Sequence, residues 1–173
     1  MIVNFLLNCG SRAATVRAIQ IRDVDLDGGV VFYRHTKNRK AQVIPLCSPM
    51  IAILREYGRY RGGEPTDYLF CTEMGTQLTE NGLRQSIARY NMRCGVQKTS
   101  IHLFRHTFAR KYLIDCGGDA FTPQKLLGHS TLAMTKRYCA IYDADLTKNY
   151  DSFSPLAQMK AGGAKIKMTA KGR

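Results

Sequence analysis

Two short segments constrain this chain more than any other feature. Val30–Arg34 and Gln42–Leu46 are rich in β-branched and aromatic residues, and they flank the polar stretch Thr36–Ala41. That pattern predicts an antiparallel hairpin. Around it, almost every apolar spacing is helical. Residues 1–9 and Arg12–Ile21 read as helices, followed by a turn-rich loop at Asp23–Gly29. After the hairpin, Ser48-Pro49 predicts a helix start, with Ser48 as cap and proline in the first turn. Met50, Ile53, Leu54 and Tyr57 form the apolar face of that helix, and Gly62-Gly63 ends it. Tyr68–Cys71 is a candidate third strand. Thr79 opens another helix, with Leu83, Ile87 and Tyr90 on one side. A further helix runs from Ile101 to Cys116 and stops at Gly117-Gly118. Thr122-Pro123 repeats the cap-and-proline device and opens a short helix ending at Gly128, and Ser130 caps one more that runs through Tyr138. From Asp143 a last helical pattern carries Leu146, Tyr150 and Phe153. The expected fold is mainly α with a small antiparallel β-sheet, and no internal repeat is visible.

The chain has 173 residues, enough for one domain with a sizeable core. No apolar run approaches the ~18–20 residues of a membrane span. The opening MIVNFLLNCG lacks a basic flank and is too short for a signal peptide, so it reads as the end of a helix. Charge is more informative. Lys and Arg number 26 against 13 Asp and Glu, a net +13. Such an excess favours a polyanion partner, because neutralising phosphates releases counterions. Five of those charges, Lys160, Lys165, Lys167, Lys171 and Arg173, lie in a Gly-, Ala- and Lys-rich tail read as disordered. The remaining excess still points to nucleic acid. Six cysteines, at 9, 47, 71, 94, 116 and 139, form no C-x-x-C pair. This argues against a zinc knuckle or a disulfide framework and for reduced, mostly buried thiols in a cytoplasm.

Three stretches carry possible chemistry. On a helix over Ile101–Asp115, His102, Arg105, His106 and Ala109 share one face, while Phe104, Thr107 and Phe108 share the opposite one. The aromatic face is expected to pack inward and the His/Arg stripe to point elsewhere. Leu126-Leu127-Gly128-His129-Ser130 places a histidine at a helix junction. Tyr138 follows nine residues later, with Tyr142 one turn beyond. Each has an ordinary reading: a solvated basic face, a corner histidine, a packing tyrosine.

Together, His-Leu-Phe-Arg-His-Thr-Phe-Ala, Leu-Leu-Gly-His-Ser and Thr-Lys-Arg-Tyr resemble the tyrosine recombinase, or phage integrase, family. The first half agrees. Cys9-Gly10-Ser11-Arg12, with the following Val16–Asp25, resembles the family's first-arginine motif, and Thr36–Lys40 leading into Val43–Leu46 resembles its lysine hairpin. The resemblance covers about residues 1–142. It implies the catalytic-domain fold of that family over residues 1–159, followed by the tail at 160–173. It also implies an N-terminal truncation, since an earlier helical stretch and a separate core-binding domain would ordinarily precede Arg12.

The resemblance further implies a role for each residue. Arg12 and Arg105 would hold the non-bridging oxygens of the scissile phosphate. His102 would hydrogen-bond the phosphate and assist proton transfer at the tyrosine, and His129 would be a further donor. Lys37 would protonate the leaving 5′ oxygen, with Lys40 as its rival in the hairpin register. Tyr138 would attack and form a 3′-phosphotyrosine. The implied partner is double-stranded DNA, bound by a homotetramer that is a monomer or weak oligomer when free, with no membrane, cofactor or metal.

The chemistry needs such a set on its own account. A phosphodiester transition state spreads charge over its equatorial oxygens, and fixed guanidinium forks stabilise it without a metal. A tyrosine hydroxyl, pKa ~10, needs nearby cations and a proton acceptor to attack, and an alkoxide leaving group needs an acid. One position departs from the family: the acid usual three residues after the first arginine is Thr15 here. His106 reads as structural. Leu146, Tyr150, Phe153 and Leu156 form a possible peg, docked either on the next protomer or on their own domain. Two other readings stand beside the recombinase: an inactive DNA-binding remnant and a type IB topoisomerase-like relaxing activity.

Overall fold

The computed structural model describes residues 1–34, 41–97, 100–115, 119, 121–129, 131 and 133. The chain divides into two units, Met1–Ala140 and Ile141–Arg173, and every described residue belongs to the first. Residues 35–40 of the expected hairpin, the expected stop at Gly117-Gly118, the helix expected through Tyr138 apart from residues 131 and 133, and all that follows it lie outside the described residues.

Helix α1 (Ile2–Cys9) buries Phe5, Leu6 and Cys9 and ends at Gly10, whose φ of 58° is left-handed and lets its N–H reach the carbonyl of Leu6. Helix α2 (Ala13–Ala18) follows, with Arg12 at its N-cap. A 3-10 turn, Ile21–Asp23, leads into the sheet. Strands β1 (Val24–Asp25), β2 (Val30–Tyr33) and β3 (Gln42–Pro45) run antiparallel in the order β1-β2-β3. The hairpin register pairs Val31 with Ile44 and Tyr33 with Gln42. Val31, Tyr33 and Ile44 face the core, whereas Phe32 and Val43 face outward, as the period of two requires.

The third strand differs from expectation. It is Val24–Asp25, inside the segment read as a loop. Tyr68–Cys71 makes only isolated bridges, Gln20 to Tyr68 and Cys71 to Gln77. Its backbone is committed instead to the α2–β1 connection: Leu69 N–H donates to Ile19 and Ile21 N–H to Asp67.

Helix α3 (Ser48–Arg61) begins one residue earlier than expected, with Cys47 at the N-cap and Ser48 already inside, and no side chain caps it. Tyr57 donates its hydroxyl to Leu69 O at 2.9 Å, and Phe70 meets Phe5 edge to face at 5.3 Å between ring centroids. Helix α4 (Glu80–Arg93) has Thr79 as a true cap, accepting from Gly82 N. Its buried positions are Leu83, Ile87 and Asn91; Tyr90 is exposed, so the third position of the inner face is polar.

Helix α5 (Ile101–Arg110) continues into a wider π turn, Lys111–Asp115. Helix α6 (Phe121–Leu127) is capped by Asp119 and not by Thr122. The Asp119 carboxylate accepts from the amides of Phe121 and Thr122 and from the Thr122 hydroxyl. The main core lies between α1, the inner face of the sheet and the inner faces of α3 and α4. Of the four described cysteines only Cys9 is buried; Cys47 and Cys94 are exposed and Cys71 is intermediate, so the expected burial of the thiols fails for three of these four. No helix among the described residues is long and apolar enough to cross a membrane.

Candidate active site

α1 packs directly on α5, and this contact builds the site. It departs from the expected orientation of α5 at Arg105 and Ala109, which are buried, while Phe104 packs partly buried against the core and His102 and His106 stay exposed. Ile101, Arg105 and Ala109 are its buried residues, with Arg105 only 3% exposed. The stripe expected to point away from the core therefore carries its central arginine inward. The reason lies in two distant carbonyls. Arg105 Nη1 donates to Gly10 O at 2.9 Å and Nη2 donates to Leu127 O at 2.7 Å. Both carbonyls end helices, α1 and α6, where the last turns leave acceptors without intrahelical donors. A guanidinium satisfies them with charge-assisted bonds, which offsets the cost of burying it.

His129 completes the cluster. Its backbone N–H bonds to Gln124 O, closing the α6 terminus, and its ring is buried. Nε2 lies 2.6 Å from Arg105 Nη2. Arginine has only N–H donors, so Nε2 accepts and the ring proton sits on Nδ1. Burial first, then the Arg105 and Arg12 charges, push His129 down to about 4 from its usual 6.5. At neutral pH it is an uncharged imidazole under the charges of two guanidinium groups. Nε2 thus orients Arg105, and Nδ1 carries the ring proton.

Arg12 is half-buried at the start of α2, where Val16 N–H donates to its carbonyl. Its charge acts on His129, which ties the first-arginine segment to the Leu-Gly-His junction. Thr15 is buried beside Asp23, Tyr33 and Arg34, around a void of ≈ 10 Å³, room for about one water. The buried carboxylate in this region is Asp23, which accepts from Gln20 N and from Arg34 Nε. An acid therefore does stand next to Thr15, supplied from another position in the sequence.

His102 is exposed, one turn before Arg105 on α5, and His106 is exposed one turn after His102. His106 is lowered from its ordinary value by partial desolvation and then by the charges of His102 and Arg105. Lys37 and Tyr138, with their rivals Lys40 and Tyr142, lie outside the described residues. The structure thus brings together Arg12, Arg105 and His129 and sets His102 on the helix that carries Arg105.

Sequence reasoning missed several supporting groups. Gly10 takes a left-handed conformation, and a Cβ there would lie 2.7 Å from both Leu127 Cδ2 and Phe108 Cδ1. The glycine after a helical pattern was its signal. Beneath Arg12, Ser11 Oγ hydrogen-bonds to Tyr33 OH and lies 2.9 Å from Cys9 Sγ. Burial holds both the Cys9 thiol and the Tyr33 phenol above their usual values, so both stay protonated and serve as packing. Gln42, whose amide reaches Lys125 O at 2.9 Å, had no signal at all.

The described residues form a helical domain with a three-stranded sheet, in which a buried arginine and a histidine meet at the ends of α1 and α6 near the start of α2. The family profile for the phage integrase family matches residues 1–145, and the chain belongs to that family, the tyrosine recombinases. Tyrosine recombinase XerC of Xanthomonas axonopodis pv. citri (strain 306) is 33% identical over 152 residues, covering 87% of this chain and 49% of the relative. Tyrosine recombinase XerD of Staphylococcus haemolyticus (strain JCSC1435) is 31% identical over 162 residues, covering 90% of this chain and 54% of the relative. The chain thus spans about half the length of the curated relatives it matches. Among solved structures, the XerA recombinase superposes with a TM-score of 0.77 at 29% identity, covering 89% of this chain and 56% of that one. The XerH recombinase bound to its difH substrate shares the fold, with a TM-score of 0.69 at 24% identity over 88% of this chain and 45% of that one.

Proposed function

We propose that this chain is the strand-cleaving core of a site-specific DNA recombinase that acts on duplex DNA through a covalent phosphotyrosine. One observation carries the reading: the Arg105–His129 contact at 2.6 Å, with the Arg12 charge acting on the same histidine. It gathers three residues that the family resemblance assigns to the scissile phosphate from segments far apart in sequence. The Tn1549 transposon integrase, a relative in fold, was solved in complex with circular intermediate DNA and with transposon right end DNA, which supports DNA as the partner.

In the proposed reaction the Tyr138 oxygen attacks phosphorus as its proton leaves toward His102. The P–O5′ bond breaks, Lys37 protonates the 5′ oxygen, and a 3′-phosphotyrosine remains. Arg12 and Arg105 hold the two non-bridging oxygens, where transition-state charge grows. His129 fixes Arg105 through Nε2 and offers Nδ1–H to the phosphate. The phosphotyrosine conserves the bond energy, so a 5′ hydroxyl of another strand reverses the step on a new partner. Exchange of both strands then needs four such sites, hence a tetramer, in the integration or excision of a mobile element within a bacterial cytoplasm.

The test is a pool of nicked duplexes with randomised cores, in which the released fragment diffuses away and traps the adduct. The chain, alone or joined to the N-terminal half of a curated relative, is expected to yield a denaturation-resistant protein–DNA species. Absence of any adduct in both formats rejects the enzyme reading and leaves DNA binding alone.

A further inference from the structure

Gln42 opens β3, directly opposite Tyr33 in the hairpin register, yet its side chain leaves the sheet. It spans to the far end of α6 and donates to Lys125 O at 2.9 Å, a contact across 83 residues of sequence. The same carbonyl already accepts from Gly128 N. The amide also lies flat over Gly128: a Cβ at that glycine would sit 2.9 Å from both Nε2 and Oε1. Gly128, at φ 62°, is the residue that turns the chain from α6 into His129. The junction is thus gripped on two sides. Arg105 holds Leu127 O and the His129 ring from α5, and Gln42 holds Lys125 O from the sheet.

We infer that Gln42 is a positioning residue for the Arg105–His129 pair, clamping the Lys125–His129 junction against the base of the hairpin. Glycine is required at 128 for two reasons that coincide: the left-handed turn and the space the Gln42 amide occupies. Glutamine suits position 42 because a neutral donor of that length reaches a carbonyl, whereas a carboxylate would face it acceptor to acceptor. The clamp also explains how a half-exposed glutamine bears on a buried histidine. Losing it frees the turn that carries His129, so the ring gains water and drifts from the Arg105 and Arg12 charges that face it.

The inference rests on the recombinase reading only in its kinetic arm. The experiment compares the whole chain with Gln42→Met, which keeps length and loses the donor, and with Gln42→Glu. In the DNA-free protein, ¹⁵N NMR of the His129 ring is followed as pH is varied. Both variants are expected to titrate His129 at higher pH than the parent, toward the value of a solvated histidine, while the melting temperature changes little. On the nicked duplex pool, adduct formation is expected to slow about ten- to a hundredfold at unchanged DNA affinity, the consequence of a misplaced catalytic group. An unchanged His129 titration in Gln42→Met overturns the inference, as does a rate loss that merely follows lost melting temperature or affinity. If the parent chain forms no adduct, the recombinase reading fails by itself and the His129 titration still decides the role of Gln42.

Discussion

The carbonyl of Gly10 accepts a hydrogen bond from Arg105 Nη1 at 2.9 Å, across 95 residues of chain. This bond joins the end of α1 to the middle of α5 and makes Arg105 a structural residue as well as a proposed phosphate ligand. The two roles separate on mutation.

Arg105→Lys keeps the charge but cannot reach Gly10 O, Leu127 O and His129 together. Stranding buried acceptors is expected to cost about 2–4 kcal/mol of stability. Arg12→Lys, at a half-buried position, is expected to cost less than about 1 kcal/mol while lowering DNA cleavage at least as strongly. Urea denaturation paired with adduct formation on each variant checks this, and equal stability losses at the two positions contradict it.

Gly10→Ala tests the cap and the close approach at once. The added Cβ meets Leu127 and Phe108 at 2.7 Å and must hold a positive φ. Strain and overpacking together are expected to destabilise the fold by about 2–4 kcal/mol, measured as a lower denaturation midpoint. A change under about 0.5 kcal/mol means the α1–α5 contact yields more readily than its geometry indicates.

The His129 shift has a definite sign. Folding lowers its value from 6.5 to about 4, so the unfolded chain binds more protons between those two pH values. The contribution is therefore fully present above pH 6.5 and is lost as pH falls toward 4. Melting curves across pH 4–8 are expected to show this loss in the parent and a flatter dependence in His129→Gln. Parallel curves for the two proteins contradict it.

Lys37 and Lys40 are separated by leaving-group chemistry. Lys37→Ala is expected to slow cleavage at an ordinary 5′ oxygen by about a hundredfold or more, and a 5′ thiolate leaving group, which needs no proton, restores it. Lys40→Ala is expected to leave both substrates nearly unaffected. Reversal of the pattern moves the acid to Lys40.

The legible parts of this fold were the ones governed by local period. The hairpin stood out because alternation places Val31, Tyr33 and Ile44 on one face. β1 escaped because two residues, Val24 and Asp25, carry no period, and Tyr68–Cys71 misled because its composition is strand-like while its backbone partners are loops. The family was readable from motif order. The burial of Arg105 was not, because helical spacing cannot report the carbonyls of Gly10 and Leu127 that draw it inward. Gln42 was invisible for the same reason: nothing near it in sequence announces Lys125 or Gly128.

The central claim is that one tyrosine, Tyr138, takes the DNA phosphate. The direct measurement is adduct formation on nicked duplex by the parent, Tyr138→Phe and Tyr142→Phe proteins, with the adducted peptide sequenced by mass spectrometry. The account predicts adducts from the parent and Tyr142→Phe, carried on the peptide containing residue 138, and none from Tyr138→Phe. An adduct that persists in Tyr138→Phe and vanishes in Tyr142→Phe would contradict it.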